Sequence, residues 1–254
     1  MTRVIKIGGR AQADARLAEL IAAAWRDEPG ALCVVHGGGD EISTLQRALG
    51  LEPAFSLGRR ITSERDLDVI RMALSGSANK RLVARLNAVG VAAFGVSGED
   101  ASLIAAHVAE DASLGRVGTP ARVTVRVLHH LLEGGYLPVV SPLARDADSP
   151  AGAVLNVNGD DAAAAIAVAL DASELLFVAD VAGVLMAGAP VPVLDVDGAM
   201  QTIAQGVAAG GMAAKLQAGI AALQQGVERV RIGDLDAILD PDRGTTLTPS
   251  RSFV

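Results

Sequence analysis

Short apolar runs of strand length alternate with longer stretches of helical spacing along this chain. Val4-Ile5-Lys6-Ile7 is a β-branched run that ends in Gly8-Gly9. Leu17, Leu20, Ile21 and Trp25 follow at helical intervals within residues 11–25. A second strand over 31–35 ends in His36-Gly37-Gly38-Gly39, and Ile42, Leu45 and Leu49 space the next helix. Pro53 and its neighbouring turn signals predict an irregular excursion or hairpin over 51–62. Helical spacing returns over 64–89, a strand over 91–96, and short strands over 99–125 broken by Gly115, Gly118 and Pro120. A helix over 127–132 and a buried strand over 137–140 close this half.

The second half repeats the scheme. Residues 154–158 read as extended, and Gly159-Asp160-Asp161 opens a helix over 162–170. A strand over 175–178 precedes helices over 198–208 and 212–225, which Gly210-Gly211 separates. Strands over 229–232 and near 245–248 follow. Strands alternating with helices predict an α/β fold with a mainly parallel sheet. No low-complexity linker interrupts the chain, so the expectation is one compact unit of two lobes, 1–172 and 173–254.

Composition narrows the class. Half of the 254 residues are apolar and 20 % are charged, enough to build a core and too apolar for disorder. The formal net charge of −7 and an aromatic content of 2 % argue against a nucleic-acid groove. No apolar run approaches the ~18 residues of a membrane span. The start, Met1-Thr2-Arg3-Val4-Ile5-Lys6, is too short and polar for a signal peptide. The lone Cys33 cannot form an internal disulfide and reads as a core thiol, in keeping with a cytoplasmic protein.

The glycine junctions carry the first chemical signal. Glycine lets backbone N–H groups approach a ligand closely, and a helix N-terminus adds unpaired donors and partial positive charge. Gly8-Gly9, Gly37-Gly38-Gly39 and Gly210-Gly211 therefore suit phosphate. There is no G-x-x-x-x-G-K-[ST] loop, no G-x-G-x-x-G after the first strand and no G-x-S-x-G elbow. His36, His107, His129 and His130 lack metal-ligand spacing, so no protein-held metal is expected, and His129-His130 reads as surface.

Lysine usage supplies the second signal. Of 22 basic residues only Lys6, Lys80 and Lys215 are lysine. Lys6 precedes Gly8-Gly9, and Lys215 is expected in the first turn of the helix after Gly210-Gly211. An ammonium is a compact, mobile point charge that arginine's planar fork does not reproduce, which suits a moving phosphoryl group. Lys80 is expected at a helix start with a structural or interface role. Asn156 and Asn158 alternate onto one strand face, where two amides could grip a small polar substrate. Asp160 falls at an expected N-cap position, where it either caps the helix or holds the two ammonium groups in place. Arg60 is a candidate bidentate clamp for a carboxylate, and its neighbour Arg59 is expected to face solvent.

Together these pieces resemble the amino acid kinase superfamily, and within it the N-acetylglutamate kinases. The resemblance spans nearly the whole chain. It rests on Lys6-Ile7-Gly8-Gly9, Val35-His36-Gly37-Gly38-Gly39, Gly58-Arg59-Arg60-Ile61-Thr62, Ala78-Asn79-Lys80 and the run 135–142. It continues in Leu155-Asn156-Val157-Asn158-Gly159-Asp160, Asp180-Val181-Ala182-Gly183-Val184-Leu185 and Gly210-Gly211-Met212-Ala213-Ala214-Lys215. It implies a three-layer αβα sandwich of the amino acid kinase fold, with acceptor binding and dimerisation in the first lobe and nucleotide binding in the second. It implies transfer of a phosphoryl group from ATP, with Mg²⁺ on the nucleotide phosphates, to the γ-carboxylate of N-acetyl-L-glutamate in arginine biosynthesis. Lys6 and Lys215 would stabilise the phosphoryl group and Asp160 would organise both. Gly8 and Gly9 would meet phosphate. Gly38, Gly39, Arg60 and Asn156 would hold the acceptor. Asp180, Val181, Ala182, Gly183, Val184 and Leu185, with Val207, Ala208, Ala209 and Met212, would border the nucleotide.

Three departures qualify the resemblance. Residues 98–125 are shorter than in many relatives, which implies a trimmed substrate-side hairpin. Ile232-Gly233-Asp234 lacks the usual polar signature of the family. The chain starts directly at strand one, which implies a homodimer without arginine feedback. Two rivals remain. A kinase for carrier-bound aminoadipate or glutamate would share these motifs, but Arg59 and Arg65 are the only basic residues near Arg60 to meet an acidic carrier. A non-catalytic acetylglutamate-binding relative would have no need of Lys6, Asp160 and Lys215.

Overall fold

The computed structural model describes residues 2–56, 58–149 and 151–250. Along the chain run β1 (Arg3–Ile7), α1 (Leu17–Asp27), β2 (Leu32–His36), α2 (Gly39–Ala48), β3 (Phe55–Ser56), β4 (Arg59–Arg60), α3 (Glu64–Arg71) and α4 (Asn79–Ala88). Then come β5 (Ala93–Ser97), β6 (Ile104–Val108), β7 (Val117–Val123), α5 (Arg126–Glu133), β8 (Leu137–Ser141), β9 (Leu143–Asp146), β10 (Val154–Val157) and α6 (Gly159–Ala169). The remainder is β11 (Glu174–Val178), β12 (Leu185–Met186), β13 (Ala189–Pro190), β14 (Val193–Asp195), α7 (Val196–Ala204), α8 (Gly210–Gln224), β15 (Arg229–Gly233) and β16 (Thr245–Thr248).

Eight strands form the main sheet in the order β14-β16-β15-β11-β1-β2-β8-β5. All neighbours are parallel except β15 and β16. The central β1 joins the two halves of the chain, pairing with β2 on one side and β11 on the other. Strand alternation sorts its side chains. Ile5 and Ile7 pack with Leu17, Ile21 and Leu86 of α1 and α4, whereas Val4 joins the core of α6 and α8. Lys6 shares the Val4 face, so it projects toward α6. Four short strands, β10-β7-β6-β9, close into a small barrel beside this sheet. The α/β reading with a mainly parallel sheet therefore holds, while the closed barrel within 99–157 is new.

The helical stretch expected over 64–89 is three pieces. α3 begins on a Ser63–Asp66 capping box, and a π-helical run, Met72–Ala78, feeds straight into α4. Lys80 thus lies within a continuous helical rod rather than at a helix start, and its ammonium donates to the Gly95 carbonyl at 2.9 Å. Cys33 is fully buried, and burial pushes its thiol pKa up to about 12. His129 and His130 are exposed, as expected.

The sheet's far end, away from the glycine junctions, is pinned by charge. Arg231 is 1 % exposed and donates to Glu174 Oε1 at 2.6 Å and to the carbonyls of Ala237, Asp240 and Arg243. Arg3 binds the other Glu174 oxygen at 2.8 Å. Burial raises the Glu174 pKa, but bonds from Arg231 and Arg3 outweigh it and hold the carboxyl below its usual value. Removing one member of such a buried group leaves the other charge uncompensated. Glu174→Ala is expected to lower unfolding free energy by about 3–5 kcal/mol, read as a reduced urea midpoint.

Candidate active site

The carboxyl ends of β1, β2 and β11 meet where strand order runs outward in both directions from β1, the position at which open α/β sheets bind ligands. Asp160 lies at the centre. Its Oδ1 is 2.7 Å from Lys6 Nζ and its Oδ2 is 3.4 Å from Lys215 Nζ. All three side chains are largely buried, at 5 %, 8 % and 12 % exposure for Asp160, Lys6 and Lys215. The two lysines from opposite halves of the chain do converge.

Local chemistry explains the convergence. Asn158 is the N-cap of α6 and its side chain accepts the Asp160 amide at 2.8 Å. Asp160 is therefore inside the first turn of α6, not the cap, where the helix N-terminus favours a carboxylate. Asn158 is consequently not a second strand-face amide beside Asn156. A Cβ at position 159 would come within 3.2 Å of Lys6 Cε, so Gly159 leaves room for the lysine stem. α8 begins at Gly210, which places Lys215 in its second turn rather than its first. Its ammonium also approaches the Gly211 carbonyl at 3.4 Å.

Electrostatics follow from burial. Desolvation raises the Asp160 pKa, but the charges of Lys6 and Lys215 prevail and hold it below the usual carboxylate value. Desolvation lowers the Lys215 pKa, and the Lys6 charge adds to this against the pull of Asp160. One carboxylate between two ammonium groups leaves a surplus positive charge. A cavity of about 380 Å³ opens onto it, lined by Lys6, Gly8, Gly9, Gly39, Asp180 and Lys215 among others. Gly8 donates its amide to the Val178 carbonyl at 3.3 Å, which limits what it offers a phosphate. Gly38 is buried with no room for a side chain, since a Cβ there would strike Leu74 Cδ2 at 2.7 Å. It lets the π-helical run close over the junction.

Arg60 is 7 % exposed and donates to Gly39 O and Ser43 Oγ, both at 2.8 Å, and to Gln46 Oε1. Its guanidinium also lies 4.6 Å from the Phe55 ring centroid. Gln46 in turn donates to Asp66 at 2.6 Å. Gly39, Ser43 and Gln46 recur at helical spacing on one face of α2, the signal that would have found Ser43 and Gln46 in the sequence. Arg59 is not free in solvent: its Nη2 is 2.9 Å from Asp161 Oδ2. Asn156 is half-buried and donates to Thr62 Oγ1 at 3.1 Å. His36 is fully buried between the Gly37 carbonyl at Nδ1 and the Asn79 amide at Nε2, and burial pulls its pKa down to about 4.

The expected nucleotide-side residues divide. Asp180, Val181 and Met212 line the cavity with the lysines. Val184 is 1 % exposed, and its amide and carbonyl bond Thr245 Oγ1 and the Val191 amide. Ala208 is 5 % exposed. Both side chains pack in the core, although Ala208 also borders a cavity of about 920 Å³ with Ala209 and Gly210. Gly183 is buried against Thr245, while Leu185 and Val207 are exposed. Ala182 is half-buried and Ala209 is exposed at the N-cap of α8. Among the described residues, no group of three His, Cys, Asp or Glu side chains could hold a metal.

Comparison with known proteins gives the family and the fold. Residues 1–234 match the amino acid kinase family. The chain is 43 % identical to the acetylglutamate kinase of Roseiflexus sp. strain RS-1, over 98 % of this chain and 94 % of that protein. It is 44 % identical to the acetylglutamate kinase of Rubrobacter xylanophilus, over 89 % and 86 % of the two chains. A Streptococcus mutans UA159 crystal structure superposes with a TM-score of 0.87 at 30 % identity, covering 97 % and 98 % of the two chains. The carbamate kinase of Giardia lamblia bound to AMP-PNP shares the fold at a TM-score of 0.74 and 16 % identity, over 98 % of each chain. This chain therefore belongs to the amino acid kinase family, among its acetylglutamate kinases.

Proposed function

We propose that the chain transfers the γ-phosphoryl group of ATP to the γ-carboxylate of N-acetyl-L-glutamate, forming N-acetyl-L-glutamyl 5-phosphate in arginine biosynthesis. The observation that carries this is Asp160 held between Lys6 and Lys215, a few residues along the chain from Asn156 and beside the cavity that Gly39 and Asp180 line. The near-full-length relatives supply the acceptor's identity.

The residues suit the reaction. A carboxylate acceptor is already ionised at neutral pH, so its oxygen can attack the γ-phosphorus without a base as the bond to ADP breaks. Neutral, buried His36 is in keeping with that economy. Lys6 and Lys215 would neutralise charge on the transferring oxygens, and Asp160 would fix both ammonium groups beforehand. The amides of Gly9, Gly38 and Gly39 would add donors. Arg60 would take the α-carboxylate and Asn156 the acetamide. Asp180, Val181 and Met212 would flank the nucleotide. Mg²⁺ fits as an ion carried on the ATP phosphates, because it keeps its own waters and needs few protein ligands. The first lobe, 1–172, would bind the acceptor and the second, 173–254, the nucleotide.

A cytoplasmic homodimer completes the proposal. No helix of the described residues is long and apolar enough to cross a membrane, and Cys33 is a buried free thiol. The chain has only six aromatic residues, yet Phe94 on edge strand β5 and Tyr136 beside it are each about half exposed. Their rings meet edge to face at 6.3 Å, an apolar patch suited to a second copy of the chain.

Three outcomes test the reading. Hydroxamate trapping with ATP, Mg²⁺ and a panel of acetylglutamate, glutamate, aspartate and UMP is expected to give product with acetylglutamate; turnover of another acceptor alone would sink the assignment. Lys6→Ala and Lys215→Ala are expected to lose about 10²–10³ in kcat, while Lys80→Ala stays near the parent, as steady-state rates will show. Lys215 must be protonated to act, and its pKa lies below 10.5 in the fold. The kcat/KM profile should therefore fall on its alkaline side before that value, and Asp160→Asn should move the fall to lower pH.

A further inference from the structure

Arg59 and Arg60 are neighbours on β4 and reach opposite partners, as strand alternation requires. Arg60 turns to Gly39, Ser43 and Gln46 on α2. Arg59 turns to α6, where Asp161 directly follows Asp160. The pair is half sheltered, with side-chain exposures of 33 % for Arg59 and 18 % for Asp161. Burial holds the Asp161 pKa above the usual carboxylate value and the adjacent Asp160 adds to this, while Arg59 is the largest influence favouring the ionised form, with Lys6 behind it.

Beyond this pair, the Arg60 bonds to α2 and the approach of Gly58 to Gly210, the described residues of the β3–β4 hairpin form only a minimal ladder. Among them Phe55 pairs with Arg60 and Ser56 with Arg59, and Ile61 donates to the Ala54 carbonyl at 2.9 Å, short of a self-supporting sheet. Its base is anchored: Thr62 exchanges backbone bonds with Leu114 and Arg116 and accepts from Asn156. Its far side faces open space. Arg59 borders two cavities, of about 920 and 340 Å³, that flank the hairpin toward α8 and along α6. At the tip, Gly58 at φ +79° lies against Gly210, and a Cβ on Gly58 would sit 3.6 Å from the Gly210 Cα. The hairpin thus reaches both the helix that carries Asp160 and the helix that carries Lys215.

We infer that the Arg59–Asp161 ion pair is a tether that fixes the acceptor-side hairpin to α6, making Arg59 and Asp161 positioning residues for the acceptor. The identity of that acceptor rests on the function proposed above. The tether holds Arg60, one residue away, in register with Asp160, one residue from Asp161. Neither tether residue touches the reacting atoms. Their effect falls on how much of the enzyme is already shaped to receive the acceptor.

The test compares Arg59→Gln, Asp161→Asn and the double variant. Each single change is expected to raise KM for acetylglutamate about tenfold or more, with kcat and the KM for ATP within about threefold of the parent. The double variant should be no worse than the poorer single one, because both remove the same bond. Arg59→Lys, which keeps the charge, should recover part of the loss. Hydrogen exchange of the unliganded protein should show faster exchange across residues 55–60 in both single variants, with α6 unchanged. Additive losses in the double variant, equal rises in both KM values, or unchanged hairpin exchange would each overturn the tether. A parent enzyme that does not phosphorylate acetylglutamate would overturn the functional reading instead, and the exchange measurement would still decide the tether.

Discussion

Two ammonium groups share one buried carboxylate, and the rest of the structure is arranged around that imbalance. Taking charges out of water is costly, and burial without a counter-charge disfavours an ammonium. Asp160 makes their burial tolerable but cannot neutralise both. The surplus positive charge sits where water is sparse and counts for more than it would at the surface. In the proposed reaction an arriving phosphoryl group would supply the missing negative charge, most fully when its oxygens carry the charge of the transition state. Burial lowers the Lys215 pKa most, and the nearby Lys6 charge adds to this.

Holding the trio requires three elements to meet at one point. β1 presents Lys6 from the sheet centre because its neighbours Ile5 and Ile7 must face the other core. α6 brings Asp160 in its first turn, where the helix dipole favours a carboxylate, and Asn158 caps the helix so that Asp160 is free for the lysines. α8 brings Lys215 from its second turn, with a glycine pair at its start that leaves the backbone approachable. At the opposite end of the sheet, Arg231 and Glu174 bind strands and loop together by charge. That cluster also sets one carboxylate against two cations, but Arg231 gives its remaining N–H groups to the carbonyls of Ala237, Asp240 and Arg243, whereas Lys6 and Lys215 line a cavity. The contrast separates a structural ion cluster from a receptive one.

Much of this was legible in the chain because its causes are local. Lysine scarcity and glycine pairs identified both ammonium groups, and alternation of apolar runs identified the parallel sheet. What escaped depended on a residue or two of register or on distant partners. Asn158 and Asp160 both favour helix starts, and spacing alone does not say which one caps. The π-helical run needs an extra residue per turn, which apolar periodicity does not reveal. Val184 sits in a motif that borders nucleotide by resemblance, yet Thr245, 61 residues onward, draws it into the core. The barrel closes only because β10 pairs across to β7, a contact no local pattern encodes. Arg59 was expected in solvent because half of any exposed strand faces water; its partner Asp161 lies 102 residues along the chain.

The overall charge of −7 runs against the sign expected of a protein proposed to bind anionic substrates. Distance resolves this. Charges further apart than about 8 Å are largely screened at physiological salt, so most surface carboxylates do not reach the cleft. What an incoming anion meets is local: Lys6 and Lys215 around Asp160, with Arg60 as the proposed acceptor clamp. Arg10 at the mouth is already drawn between Asp40 and Asp180, and Arg59 is drawn to Asp161. The outlying cations are thus satisfied by acids, and the innermost pair is not. Net charge says little here about which ligand the cleft prefers; the one place where pairing is left incomplete says more.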